Sequence, residues 1–168
     1  SKIIHGNDIR RELPRHALML GSERAEVIPH VQKTPGGIGN AISVVANYVD
    51  GPFLVLLGDM LVLDDAVLTE APGPGSSSRA SKNMILKFEE EGLACVGAIS
   101  VDPYEVNKYG IVVGNGDEVE KIVEKPTTAN EYGNLALCGR YVFPANAMKL
   151  LNNESIVGQG ELQSIRLL

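Results

Sequence analysis

The stretch that decides the predicted fold reads Pro52-Phe53-Leu54-Val55-Leu56-Leu57-Gly58-Asp59. Residues 53–57 are apolar without polar alternation, which is typical of a strand covered on both faces in a parallel sheet. Gly58 lets a ligand come close, and Asp59 places a carboxylate at the carboxyl end of this strand, where such sheets bind ligands. Mg²⁺ prefers oxygen ligands of this kind. An ordinary turn after a strand is the alternative interpretation, since Asp is common there.

Outward from this strand, predicted strands and helices alternate along the chain. A strand over 26–32 comes before it, followed by a helix over 38–48 with apolar residues at helical spacing. After it come a helix over 81–91, a strand over 93–101, a hairpin of 111–113 with 119–124, a strand over 135–143 and a helix from Pro144 to about Leu151. This order predicts a three-layer α/β domain with a mostly parallel sheet.

The chain is predicted to form one domain over residues 1–168, since an average domain has about 150 residues. The stretch 71–78 contains only Ala, Pro, Gly and Ser, which indicates a flexible loop inserted within that domain.

Composition excludes several kinds of partner. The chain has 15 Lys and Arg against 21 Asp and Glu, a net charge of −6, and neither half is basic, so we expect no nucleic acid and no membrane partner. Its longest apolar run is far shorter than the roughly 18 residues of a membrane span. Cys95 and Cys138 match no metal or redox spacing, which favours a reduced, cytoplasmic protein whose thiols pack as small apolar side chains.

A glycine-rich turn, residues 32–41, leads from the predicted strand into the N-terminus of the helix that follows. Exposed N–H groups and the helix dipole there favour a phosphate or a carbonyl-rich base. The glycine spacing fits neither the dinucleotide fingerprint nor the P-loop, and taken alone an ordinary strand–helix turn is the simpler interpretation.

A pair of opposite charges, Glu124 and Lys125, closes a predicted strand. Neighbours on a regular strand point to opposite faces, but Pro126 ends the strand, so the backbone can turn both toward one cleft. An acid for sugar hydroxyls beside an ammonium for a phosphate would recognise a sugar phosphate. Two solvated charges at a strand end are the alternative.

Six motifs, in this order, resemble the sugar-1-phosphate nucleotidyltransferase family, and within it the bacterial UTP–glucose-1-phosphate uridylyltransferases (UDP-glucose pyrophosphorylases). They are Gln32 with 37–41, then 52–59, 108–112, 123–126, 134–143 and 158–163. The resemblance implies a three-layer Rossmann-like nucleotidyltransferase fold. It also implies that the sugar phosphate attacks the α-phosphorus of UTP and releases pyrophosphate, with no covalent intermediate on the protein.

The same resemblance implies roles for single residues. Gln32 would bond the uracil edge, with backbone groups of Gly37 facing the same ring. Asp59 would ligate Mg²⁺ and act in catalysis.

For the sugar, the resemblance implies that Gly110 and Glu124 hold glucose. Lys125 would hold the glucose 1-phosphate group and take part in catalysis. The nucleobase and the sugar stay open, since one Gln and a glycine turn also serve thymidine and an acid holds several sugars.

The sequence also departs from the family. Residues 1–31 contain no glycine-rich phosphate loop, Met60 stands where the uridylyltransferases usually have a second Asp, and the family's second metal-binding acid would follow 158–163. We therefore expect a fold truncated at both ends, weak or absent activity of the isolated chain, and an exposed sheet edge covered in a homo-oligomer. A non-catalytic relative, which binds nucleotide sugars or serves as a scaffold, is the alternative.

Overall fold

The computed structural model describes residues 2–6, 26–34, 36–60, 62 and 79–151. The chain divides into two compact units, Ser1–Gly51 with Ala145–Leu167, and Pro52–Pro144 with Leu168. That the whole chain forms one domain stays a prediction. The predicted loop 71–78 and the motif 158–163 lie outside the described residues. None of the helices described is long and apolar enough to cross a membrane.

The first unit contains a two-stranded parallel sheet and two short helices. Strand β1 (Lys2–Gly6), which the sequence did not predict, pairs with β2 (Glu26–His30). Helix α1 (Gly37–Ser43) is followed by a 3₁₀ turn over Ala46–Tyr48, and helix α3 (Ala147–Leu151) contacts α1. The predicted helix over 38–48 therefore stops early. Its α-helical part ends where the Ser43 hydroxyl donates to the carbonyl of Asn40 and two β-branched residues follow.

The second unit holds the long helix and a five-stranded sheet. In chain order it contains β3 (Phe53–Leu56), α2 (Arg79–Glu91), β4 (Cys95–Ser100), a 3₁₀ helix (Pro103–Lys108), β5 (Gly110–Asn115), β6 (Glu118–Glu124) and β7 (Leu135–Phe143). Each predicted element in this region is present, and β7 has the predicted bounds. The largest fully buried side chains are Phe143, Ile111 and Val106, which belong to β7, β5 and the 3₁₀ helix.

The prediction of a mostly parallel sheet is wrong. Strands β3, β4 and β5 each run antiparallel to β7, and β5 runs antiparallel to β6. β3 and β4 do share one direction, but β7 lies between them, because Tyr141 pairs with Val55 on one side and Val96 on the other. The apolar run at 53–57 reflects the environment of the strand's faces and carries no information about the direction of its neighbour.

Two strands follow one another along the same edge of β7. Ala136 pairs with Ile99 of β4 and with Ile111 of β5, so β5 lies on the edge opposite β4. β3 lies on that same edge further along, where Leu56 pairs with Arg140. The carboxyl end of β3 and the amino end of β5 therefore meet beside the middle of β7.

Candidate functional site

The carboxylate of Asp59 lies directly after β3, as the sequence predicts. The four residues 57–60, here called the Asp59 turn, are fixed by the Leu57 N–H, which donates to the carbonyl of Gly139 at 2.9 Å. Asp59 itself is exposed, and a Cβ placed on Gly58 would meet no atom of the described residues within 4 Å. The turn thus presents an accessible carboxylate with open space beside it.

This carboxylate fits Mg²⁺ only as an ion shared with a substrate. Among the residues that the structure describes, no three His, Cys, Asp or Glu side chains come together to hold a metal. Mg²⁺ commonly takes one or two carboxylates, together with water and substrate phosphates, and needs no cage of protein ligands. A single exposed Asp is compatible with that mode of binding.

Gly110, Glu124 and Lys125, here called the Gly110 cluster, lie together at the start of β5. Gly110 pairs with Glu124, the last residue of β6. A Cβ on Gly110 would lie 3.1 Å from Oε2 of Glu124 and 3.1 Å from Cδ1 of Leu137. The glycine therefore makes room for the carboxylate, and a larger residue would push it away.

The backbone at Lys125 brings the two charges onto one side. Its φ is +45°, in the left-handed region that a non-glycine residue seldom adopts. Its N–H donates to the carbonyl of Tyr109 at 2.9 Å, and its Nζ lies 3.3 Å from Oε1 of Glu124. A regular strand would separate these side chains, so the turn at Lys125, with buried Pro126 after it, creates the acid–ammonium pair.

The Asp59 turn and the Gly110 cluster lie on the same edge of β7. Leu57 is bonded to Gly139, and Gly110 lies against Leu137. Two residues of extended chain span at most about 7 Å, so the two groups contact neighbouring positions of one strand. The structure thus brings Asp59, Gly110, Glu124 and Lys125 to one region of the second unit.

Gln32 and Gly37 belong to the first unit, where the structure also brings them together. The side-chain amide of Gln32 donates from Nε2 to Oδ1 of Asn40 at 2.6 Å and to the carbonyl of Gly37 at 3.4 Å. Asn40 was not predicted from the sequence as an orienting partner of Gln32. The signal was its place in the first turn of α1, because side chains there lean back toward the helix N-terminus.

Neither cysteine is activated as a nucleophile. Burial raises the pKa of the Cys138 thiol, and burial followed by the nearby carboxylate of Glu91 raises the pKa of the Cys95 thiol. A raised pKa lowers the thiolate fraction at neutral pH. Both cysteines are free. Cys138 is buried and Cys95 partly buried, which agrees with packing as small apolar side chains.

The fold is that of the nucleotidyltransferases. The UDP-glucose pyrophosphorylase from Acinetobacter baumannii superimposes with a TM-score of 0.66 at 33% identity, over 81% of this chain and 47% of that one. The UTP-bound UGPase from the same organism gives a TM-score of 0.64, also at 33% identity, over 81% of this chain and 47% of that one. The predicted α/β nucleotidyltransferase fold is therefore confirmed, apart from the strand directions corrected above.

The family follows from the sequence match. The model of the nucleotidyl transferase family matches residues 3–165, and the chain belongs to this family. The UTP–glucose-1-phosphate uridylyltransferase of Bacillus subtilis is 33% identical over 138 residues, which cover 79% of this chain and 43% of that protein. The chain spans less than half the length of these relatives. The predicted relationship to UDP-glucose pyrophosphorylases is confirmed.

Proposed function

We propose that this chain is a nucleotidyltransferase domain that binds UTP and glucose 1-phosphate, the substrates from which UDP-glucose and pyrophosphate are made. The observation that carries the proposal is the Gly110 cluster. There an acid and an ammonium, which a regular strand would separate, are held 3.3 Å apart beside a glycine.

The chemistry of the Gly110 cluster suits a sugar phosphate. The Glu124 carboxylate accepts hydrogen bonds from sugar hydroxyls, and its side chain is 28% exposed. The Lys125 ammonium, with its side chain 54% exposed, donates to phosphate oxygens and is aligned by Glu124. The missing side chain at Gly110 lets the sugar ring approach the strand.

Asp59 is the proposed metal ligand of the second unit. We propose that it supplies one oxygen ligand to Mg²⁺, and the remaining ligands come from the triphosphate and water. When bound, the ion neutralises charge on the transferred phosphoryl group. In the first unit, Gln32 and the backbone at Gly37 serve the nucleobase, with Asn40 orienting the Gln32 amide.

The reaction needs no nucleophile from the protein. A phosphate oxygen of glucose 1-phosphate forms a bond to the α-phosphorus of UTP. The bond from that phosphorus to the oxygen bridging it to the β-phosphorus breaks, and this oxygen leaves as a terminal oxygen of pyrophosphate. The residues of this chain contribute position and charge, which are the main terms in such a transfer. Loss of one preorganised electrostatic contact typically costs about 10²–10³ in rate. Residues 1–31 contain no glycine-rich phosphate loop. We therefore expect the isolated chain to bind its substrates but to show little or no turnover.

A cytoplasmic location and a homo-oligomer complete the proposal, and neither nucleic acid nor membrane is expected as a partner. The free cysteines and the acidic net charge of −6 support the location and the excluded partners. In the described part of the chain, β3 pairs only with β7, which supports self-association through its other edge. Light scattering of the purified chain tests the oligomer, and a monomer at all concentrations would contradict it.

Calorimetric titration with glucose 1-phosphate and with UDP-glucose, run beside an assay for UDP-glucose synthesis with UTP and Mg²⁺, tests the function. We expect Glu124→Gln to abolish sugar-phosphate binding. Its matched control is Glu120→Gln, which removes an exposed carboxylate from the same strand four residues earlier.

Binding that Glu124→Gln removes and Glu120→Gln keeps supports the Gly110 cluster as the sugar-phosphate site. Turnover in the synthesis assay supports the nucleotidyltransferase, and binding without any turnover favours the alternative of a non-catalytic nucleotide-sugar-binding protein. Absence of binding to every ligand refutes both.

A further inference from the structure

Strand β7 is interrupted by a bulge beside the Asp59 turn. The register between β4 and β7 shifts, so that Val96 faces Tyr141 while Ala98 faces Leu137. The single residue Gly97 thus stands opposite three, Cys138 to Arg140, here called the β7 bulge. Such extra residues bend a strand, and they are frequent next to active sites.

Gly139, at the centre of the β7 bulge, is in contact with the Asp59 turn. Its φ is +64°, and its carbonyl accepts the Leu57 N–H at 2.9 Å. A Cβ on Gly139 would lie 3.0 Å from Cβ of Leu57 and 3.0 Å from Cγ of Met60. These two residues flank Gly58 and Asp59, so the bulge is hydrogen-bonded to one end of the turn and lies close to the other.

The β7 bulge also sets the spacing between the Asp59 turn and the Gly110 cluster. Leu56 pairs with Arg140 on one side of Gly139, and Ile111 pairs with Ala136 on the other. Each extra residue in the bulge changes how far the end of β3 lies from the start of β5. The distance from Asp59 to Gly110 therefore depends on β7.

We infer that Gly139 is a positioning residue, which holds the Asp59 carboxylate at the place where the metal and the triphosphate are bound. The inference rests on the proposed function for the role of Asp59. It goes beyond that function because it assigns to the β7 bulge the placement of the Asp59 carboxylate relative to the Gly110 cluster. Gly139 acts through the Leu57 hydrogen bond and through the space that its missing side chain leaves.

The test variant is Gly139→Ala, which introduces a side chain against Leu57 and Met60. Its matched control is Gly133→Ala. Gly133 has a φ of +78° and no described atom within 4 Å of a Cβ placed on it, so this control adds backbone strain without crowding the β7 bulge.

Three quantities are measured on the full chain: the affinity for UTP with Mg²⁺, the affinity for glucose 1-phosphate without metal, and the hydrogen exchange of the Leu57 amide by NMR. Loss of a group that orients a metal ligand commonly costs about 10–100-fold in affinity. We expect that loss for UTP with Mg²⁺ in Gly139→Ala, with faster exchange at Leu57 and unchanged glucose 1-phosphate affinity. Folded Gly133→Ala should keep the wild-type affinity for UTP with Mg²⁺.

A folded Gly139→Ala protein with wild-type metal-dependent affinity would overturn the inference. If Gly139→Ala does not fold, Met60→Gly tests the same contact from the side of the turn, because it removes the side chain that lies closest to Gly139 beside Leu57. Wild-type Leu57 exchange and wild-type affinity for UTP with Mg²⁺ in folded Met60→Gly would also overturn the inference.

If the wild-type chain binds neither ligand, the proposed function fails. The Leu57 exchange comparison then decides the inference by itself. Equal exchange in wild type and Gly139→Ala shows that the β7 bulge does not hold the turn, and faster exchange in the variant shows that it does.

Discussion

Replacement of Lys125 by glycine should separate the stability of the protein from its proposed binding function. Lys125 adopts a φ of +45°, and its ammonium lies 3.3 Å from the carboxylate of Glu124. Glycine accepts the left-handed backbone without strain but removes the ammonium. If the Lys125 ammonium binds the sugar phosphate, Lys125→Gly should be about as stable as the wild type and should bind the sugar phosphate poorly.

The contributions of Lys125→Gly to the free energy of unfolding nearly cancel. Left-handed backbone costs an L-residue roughly 1–2 kcal/mol, which glycine recovers. Glycine loses about 0.5–1 kcal/mol through its greater freedom in the unfolded chain. Loss of a partly exposed ion pair costs a further 0–1 kcal/mol or so. The net change in the free energy of unfolding should therefore lie within about 1 kcal/mol of zero.

The affinity for glucose 1-phosphate that is lost with the Lys125 ammonium is not offset by any gain. A hydrogen bond to a charged group contributes about 1.5–3 kcal/mol, which corresponds to roughly 10–150-fold in affinity. We therefore expect the Kd for glucose 1-phosphate to rise by about 10–100-fold in Lys125→Gly. Calorimetry measures this affinity, and urea denaturation measures the stability.

The matched control is Lys87→Gln, which removes a cation on α2 that pairs with Glu91 at 2.9 Å and Asp117 at 2.7 Å. It should leave the affinity for glucose 1-phosphate unchanged. A Lys125→Gly protein that is several kcal/mol less stable but binds normally would show that Lys125 has a structural role and does not bind the sugar phosphate.

Three further predictions concern other residues. Asp59→Asn should abolish Mg²⁺-dependent UTP binding in calorimetry; unchanged metal dependence would move the ligand to another carboxylate, for which the sequence offers Asp64 and Asp65. Asn40→Ala should weaken UTP binding by about 10-fold, because Gln32 loses its 2.6 Å hydrogen bond and its orientation; equal affinity would show that Asn40 does not orient Gln32. Burial raises the pKa of the Cys95 and Cys138 thiols above their ordinary values, so less thiolate is present at any given pH. Alkylation by iodoacetamide should therefore be slow at pH 8 and accelerate as the pH is raised further. Rapid labelling of the folded chain at pH 7 would contradict this.

Much of the fold could be predicted because its signals are local. β7 occupies the predicted residues 135–143, and α2 and the hairpin of β5 with β6 lie where periodicity and turn residues place them. Strand direction could not be predicted in this way. It depends on β7 pairing with β3, which lies about 80 residues earlier, and burial of an apolar face is equally favourable for either direction.

The candidate site also has parts that local sequence predicts and parts that only the folded chain creates. Pro126 and the adjacent charges indicated a turn at the end of β6, and the structure contains that turn. Asn40 and Gly139 were missed, since their importance lies in contacts with Gln32 and Leu57 that only the folded chain creates.

The sequence by itself determined where most strands and helices lie, which residues carry charge at strand ends, and the family to which the chain belongs. Tertiary structure alone decided that β7 enters between β3 and β4, that Lys125 turns toward Glu124, and that Gly139 supports the Asp59 turn. The reason is physical. Propensity and periodicity act over a few neighbouring residues, whereas strand pairing, bulges and close approaches of backbone are set by contacts between segments far apart in the chain.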